Sequence, residues 1–307
     1  MYDVVIIGAG PAGLTAAIYA SRRALNTLVL SSDIGGQVTK TFDIENYPGF
    51  DNISGAELAL KFKSQAEKFG AKVTMEEVSK IIPHDGQFEI KTSTGKYETQ
   101  SVILAFGKKP RELGVPGEDK FKGRGVTYCA TCDAPFFKNK TVVVVGGGNS
   151  ALDAAVLSSK LASKVYVVQK FSKFNGEQYL IDKVSDAKNI EVIFDNEIEK
   201  IEGEKTVNSV TLRSGRKIET SGVMVEIGYF VDRSLAEKLV KLDNNNQVVV
   251  DEHQATSVPG IFAAGDLTPT PYKQIVISAG EGAKAALAVF DYLQKQKGKR
   301  GIVADWH

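Results

Sequence analysis

The sequence predicts an α/β protein with two parallel-sheet units, and three observations predict it. A β-branched run from Asp3 to Ile7 leads into Gly8-Ala9-Gly10-Pro11-Ala12-Gly13. The same order recurs as Thr141 to Val145 followed by Gly146-Gly147-Gly148-Asn149-Ser150-Ala151. Each glycine turn then opens an apolar helical stretch that ends in a second short strand. The length of 307 residues accommodates two domains, and 43% hydrophobic with 24% charged residues fills their cores and keeps their surfaces wet.

In the first unit the strand, the turn and a helix from Leu14 to Arg22 are completed by a strand from Thr27 to Leu30. A G-x-G-x-x-G in this setting has a physical reading as a dinucleotide site. Gly8 permits the tight turn, Gly10 lets a pyrophosphate approach the backbone, and Gly13 lets the helix pack closely on the strand. At the end of the second strand, where an acid would hold a ribose hydroxyl, stand Ser31 and Ser32, with Asp33 slightly further on.

The second unit repeats the plan with a helix from Leu152 to Leu161 and a strand from Val165 to Val168. Gly146 and Gly148 take the first two glycine places, and Ala151 is small enough for the third. Just upstream stand the chain's only two cysteines, as Cys129-Ala130-Thr131-Cys132-Asp133. A two-residue spacer lets one thiolate attack while the other resolves a mixed disulfide, and Asp133 is placed to move the proton. The same spacing is half of a zinc site, but His84, His253 and His307 are scattered, so no metal is expected. The last third reads as a turn, a short strand through Ile261-Phe262-Ala263, then Gly265-Asp266, Gln274 and a helix from Ile275 to Leu293. Asp266 there is either a ligand for a sugar-like hydroxyl or an acid in an ordinary helix-entry turn.

Net charge is +1, so no global field recruits nucleic acid or an anionic membrane. No apolar run approaches the roughly 18 residues of a membrane span. The opening Met1-Tyr2-Asp3 runs straight into a strand, so no leader is expected. A redox cysteine pair in that setting is expected in the cytoplasm.

Taken together, GAGPAG at Gly8, Gly35-Gly36-Gln37, Glu45-Asn46-Tyr47-Pro48-Gly49, Val115-Pro116-Gly117-Glu118, Cys129-Ala130-Thr131-Cys132-Asp133, GGGNSA at Gly146, and Ala264-Gly265-Asp266 with Gln274 resemble the bacterial low-molecular-weight thioredoxin reductases. The resemblance covers essentially the whole chain. It implies two Rossmann-like FAD/NAD(P)-type nucleotide-binding domains, one inserted into the other: an FAD domain from residues 1–112 and 243–307, and a pyridine-nucleotide-type domain from 113–242 carrying the disulfide. It further implies FAD contacts at Gly8, Gly10, Gly13, Gln37, Asn46, Gly265, Asp266 and Gln274. Cys132 would face the flavin, Cys129 would attack thioredoxin, and Asp133 would act as general acid. Such enzymes are homodimers in which the inserted domain rotates to alternate the disulfide between flavin and protein substrate.

The chain departs from that family where NADPH is bound. Members using NADPH carry His-Arg-Arg-x-x-x-Arg after the second strand of the inserted domain, and here those places read Gln169-Lys170-Phe171-Ser172-Lys173-Phe174-Asn175. Lys170 alone keeps a charge at a matching place, and a lysine does not reproduce the bidentate arginine fork on a phosphate. The inserted domain is therefore expected to hold a degenerate nucleotide site at Gly146, Gly148, Ala151 and Lys170, which resembles the ferredoxin-dependent subgroup and makes reduced ferredoxin the expected donor. Ordinary NADPH dependence is the alternative, and a non-catalytic redox sensor is the alternative of another class. The basic stretch of Lys108, Lys109, Arg111, Lys120, Lys122 and Arg124 is interspersed with Glu112, Glu118 and Asp119 and reads as a solvated face rather than a docking patch. Trp306, in the tail from Gly301, is either part of a frayed end or an indole that stacks on the flavin.

Overall fold

The structure is a computed structural model that describes residues 1–40 and 44–299, with the backbone alone of Lys40, Thr131 and Cys132. Trp306 and its tail lie outside the described residues. The chain divides into two compact units, one of Met1–Lys109 with the chain from Val231 onward, the other of Pro110–Phe230.

The first unit is built on a five-stranded parallel sheet ordered Ile261–Ala263, Val102–Leu104, Val4–Ile7, Thr27–Ser31, Lys72–Met75. Period-two alternation along these strands sends side chains to opposite faces. Val4, Ile6, Val29, Ile103 and Phe262 face the helices Pro11–Arg22, Gly55–Lys68 and Ile275–Gln296. Val5, Ile7, Leu28, Leu30, Val102 and Leu104 face an antiparallel meander of Val78–His84, Gln87–Thr92 and Lys96–Thr99 through Val78, Ile81, Phe88 and Ile90. Burial on both faces explains why the strands read as unbroken β-branched runs.

The second unit repeats the plan. Its parallel sheet runs Ile190–Ile193, Lys164–Val168, Thr141–Val145, Gly222–Val225, Val126–Thr127. Val142, Val144, Val165 and Val167 pack on Ala151, Leu152 and Ala155 of the helix Asn149–Ser159. Val143, Val145, Val168 and Val223 pack on a second meander of Ile198–Gly203, Val207–Leu212 and Lys217–Glu219.

Two expectations are corrected. Both helices after the glycine turns begin a turn earlier than the apolar periodicity indicates, at Pro11 and Asn149, because Gly13 and Ala151 already lie inside the first helical turn. Proline suits that first position, where its missing N–H has no intrahelical partner to lose. The inserted unit ends at Phe230 rather than 242, and begins at Pro110 rather than 113. Val231, Ala236 and Val240 bury themselves with Val5, Leu28 and Val102 of the first unit, and Asp232 Oδ2 pairs with Lys109 Nζ at 2.8 Å. Among the described residues no helix is long and apolar enough to cross a membrane.

Candidate active site

In the first unit the glycine turn closes against the carboxyl end of the strand Val102–Leu104. Gly8 has φ +110°, and a Cβ there would lie 2.3 Å from the Ala105 carbonyl oxygen. A Cβ on Gly13 would lie 1.8 Å from the Gly8 oxygen, so only glycine lets this helix sit so close to the strand. Gly10 differs. Its nearest neighbour in that direction is the Gly35 oxygen at 3.9 Å, so the backbone is approachable there. Gly10 also caps the helix without a side-chain acceptor, and no acid stands in the first turn. Uncapped N–H groups beside an approachable glycine suit the pyrophosphate of a dinucleotide. Asp33, the displaced acid, accepts Gly36 N–H at 2.8 Å and so shapes the neighbouring loop.

The other expected residues of this unit lie outside its strands, Gln37 in the short 3-10 helix Gly36–Lys40 and Gln274 at the N-cap of Ile275–Gln296. Gln37 donates through Nε2 to the Lys108 oxygen at 3.2 Å, and Asn46 donates through Nδ2 to Gln274 Oε1 at 3.3 Å. Asp266 Oδ1 accepts from Ser278 Oγ at 3.3 Å. Gly265, at φ +87°, turns the chain, and its N–H donates to Glu281 Oε2 at 2.7 Å. Glu281 is only 8% exposed and also accepts from the hydroxyls of Thr268 and Thr270. Lys273 Nζ donates to the Thr268 oxygen at 2.7 Å, and burial, then Lys108, holds its pKa below the ordinary lysine value.

In the second unit Gly146 has φ +135°, and a Cβ there would lie 2.3 Å from the Glu226 carbonyl oxygen. Ala151 is fully buried in the first helical turn. A Cβ on Gly147 would lie 2.0 Å from Gln169 Nε2, so the amide of Gln169 occupies the space above the turn. Gln169 is 4% exposed, and Nε2 donates to the Lys173 oxygen at 3.1 Å. Gly148 keeps an approachable backbone, with Asn175 Oδ1 at 3.9 Å. Lys170 pairs with Glu197 at 3.1 Å, and Arg213 pairs with the same carboxylate at 2.8 Å. Phe171 is exposed, and Phe174 stacks edge-on to Phe194 with centroids 4.9 Å apart. Residues 169–175 therefore present aromatic and amide groups, with Lys170 already matched to a carboxylate.

The cysteine segment of the same unit leaves the edge strand Val126–Thr127, which pairs in parallel with Gly222–Val225. Cys129 is half-buried, and its N–H donates to Thr127 Oγ1 at 3.1 Å. The short helix Ala130–Asp133 closes with Asp133 N–H donating to the Cys129 oxygen at 3.2 Å. Ala130 N–H donates to Glu226 Oε1 at 3.2 Å. Tyr229 OH donates to the Tyr128 oxygen at 3.3 Å, and burial, then Glu226, raises the Tyr229 pKa. Behind them Glu118, 2% exposed, accepts from Leu113 N–H at 2.8 Å, Gly114 N–H at 2.7 Å and Tyr128 OH at 2.9 Å. Burial first, then Glu118, keeps the Tyr128 phenol protonated far above its ordinary range.

A family model for pyridine nucleotide-disulphide oxidoreductases matches residues 2–284. The chain belongs to that family. Among its relatives, the thioredoxin reductase of Treponema pallidum is 42% identical over 299 residues, covering 95% of this chain and 97% of that protein. Among solved structures, Lactococcus lactis thioredoxin reductase in its FR conformation superposes with a TM-score of 0.83 at 33% identity, covering 96% and 100% of the two chains. A ferredoxin-flavin thioredoxin reductase of Clostridium acetobutylicum superposes with a TM-score of 0.53 at 36% identity, covering 97% and 99%.

Sequence reasoning did not find Glu226, which reaches the cysteine segment, or Glu281, which holds the Gly265 turn. An acid between two glycines in an alanine-rich run, Gly280-Glu281-Gly282, was a usable signal for the second. Among the described residues no group of three or more His, Cys, Asp or Glu is arranged to hold a metal ion.

Proposed function

We infer that the chain is an FAD-dependent thioredoxin disulfide reductase whose electron donor is reduced ferredoxin. The cysteine segment, anchored at Thr127, Tyr128 and Ala130 on the edge of the inserted sheet, carries the reductase reading. Gly8, Gly10 and Gly13 would cradle the FAD pyrophosphate, with Gln37, Asn46, Gly265, Asp266 and Gln274 on the ribityl and isoalloxazine portions. FAD, when bound, supplies a carrier that accepts electrons singly or in pairs.

The Cys129–Cys132 disulfide takes two electrons and two protons and opens to two thiols. Cys129, as thiolate, attacks the disulfide of thioredoxin, and one thioredoxin sulfur leaves as a thiolate. Cys132 then displaces that protein, re-forming the pair, while Asp133 hands protons to and from the sulfurs. Residues 169–175 support ferredoxin over NADPH as the donor. With Gln169 turned inward and Lys170 on Glu197, there is no arginine fork for a 2′-phosphate. The approachable Gly148 is the observation that favours the second reading, NADPH as donor. The resemblance further supports a homodimer, and the redox cysteine pair supports a cytoplasmic location.

The reductase reading is tested by C132S, which is expected to keep FAD bound while losing thioredoxin reduction. Retained turnover in that variant would refute the mechanism.

A further inference from the structure

Three side chains from elsewhere in the inserted unit or its edge strand hold the backbone around Cys129. Thr127 and Tyr229 do so with hydroxyls, and Glu226 does so with a carboxylate. Glu226 follows the strand Gly222–Val225, next to the strand that delivers the cysteines. Its backbone is pinned from the other side, because its carbonyl lies against Gly146, where a Cβ would come within 2.3 Å. The carboxylate reaches from this fixed point to the first peptide N–H beyond Cys129.

Anchoring an N–H needs only a lone pair, which an amide supplies as well as a carboxylate. The carboxylate adds a negative charge beside the peptide that joins Cys129 to Ala130. A negative charge held on the peptide next to a thiol opposes its ionisation by on the order of one pKa unit. Among the described residues, the ionisable groups around the segment include Asp133 within it, Asp153 on the neighbouring helix, Tyr229, and Tyr128 with Glu118 behind it and Lys122 Nζ 5.9 Å from its ring centroid.

We propose that Glu226 is a positioning residue with a second, electrostatic role: it fixes the Ala130 peptide, and its charge restrains ionisation of Cys129, setting how much attacking thiolate the reduced protein presents at neutral pH. A less stable thiolate means a smaller fraction of the attacking form at neutral pH and a slower attack on an electrophile. This rests on the disulfide-reductase reading.

The test uses the full chain, reduced with dithiothreitol, freed of reductant without air, and alkylated with iodoacetamide across pH 5.5–10, with Cys129 followed by peptide-resolved mass spectrometry. In E226Q, which keeps an acceptor for Ala130 N–H, the profile is expected to move toward lower pH by about half a unit to one unit, a roughly 3- to 10-fold faster reaction at neutral pH. An E226Q profile superposed on that of the unaltered protein would overturn the proposal and leave Glu226 an anchor only. If E226A misfolds, E226Q still decides. Alkylation needs neither donor nor thioredoxin, so a shifted profile in a protein unable to reduce thioredoxin would sink the reductase reading and keep this one.

Discussion

Removing the Glu118 carboxylate should loosen the approach to the cysteines while the fold survives. Two backbone N–H groups and one phenol converge on it, at 2.7–2.9 Å, in a place that is 2% exposed. Hydrogen bonds to a charged acceptor contribute about 1.5–3 kcal/mol each, and donors left unpaired in a buried place cost about 1–3 kcal/mol. Water admitted to the vacated space would recover part of this, so E118A should cost about 3 kcal/mol. Y128F removes one donor and leaves the carboxylate its two amides, which should cost about 1 kcal/mol. Against a total of about 5–15 kcal/mol, neither change unfolds the unit. Amide hydrogen exchange resolves the effect locally. Leu113 and Gly114 should exchange about 100-fold faster in E118A, since about 1.4 kcal/mol is a factor of ten. Their protection should change little in Y128F. Unchanged protection at Leu113 and Gly114 in E118A would refute the reasoning.

Other consequences follow from the same geometry. A Cβ on Gly282 would lie 2.0 Å from the Ala12 oxygen, whereas one on Gly280 meets nothing within 4 Å. G282A should therefore lower the thermal midpoint by an overpacking cost of about 1–3 kcal/mol, and G280A should be neutral or stabilising by up to about 1 kcal/mol. Tyr97 donates to Glu76 at 2.7 Å, and that bond pushes its pKa up to about 12. Because the unfolded phenol loses its proton first, near pH 10, this contribution to stability is complete below pH 10 and is lost as pH rises towards 12. Urea midpoints between pH 9 and 12 should show that fall, and it should be shallower in Y97F. Lys109 holds the Asp232 pKa below the ordinary aspartate value, so this pair stabilises above pH 4 and fades as pH falls further. The pair is largely exposed, and D232N should shift neutral-pH stability by less than about 1 kcal/mol in a urea titration.

The two glycine turns were legible because their chemistry is local. A close approach of 1.8 Å at Gly13 or a φ of +110° at Gly8 leaves glycine as the residue that fits, and the flanking β-branched runs announce the strands. The cysteine pair is an equally local pattern, with two residues between its members just past the strand Val126–Thr127. The stretch 231–242 was not. Val231, Ala236 and Val240 show no sustained period, and their partners Val5, Leu28 and Val102 lie far away in the chain. The acids that hold backbone N–H groups were hidden more deeply. Glu118, Glu226 and Glu281 are each defined by backbone N–H groups that folding brings to them, and a sequence shows an acid without showing what it will meet. Conversely, the missing arginines were legible before the structure, which added that Lys170 is matched to Glu197 and that Lys122 is matched to Glu112 and Asp119.

The central claim is that electrons reach the Cys129–Cys132 pair from ferredoxin through flavin. It is tested most directly by following flavin bleaching without oxygen on adding NADPH, NADH or enzymatically reduced ferredoxin, and then supplying thioredoxin. The account predicts rapid bleaching by ferredoxin alone, followed by the appearance of thioredoxin thiols. Rapid bleaching by micromolar NADPH would contradict it, and would mean that Lys170 and its neighbours recognise the 2′-phosphate without an arginine fork.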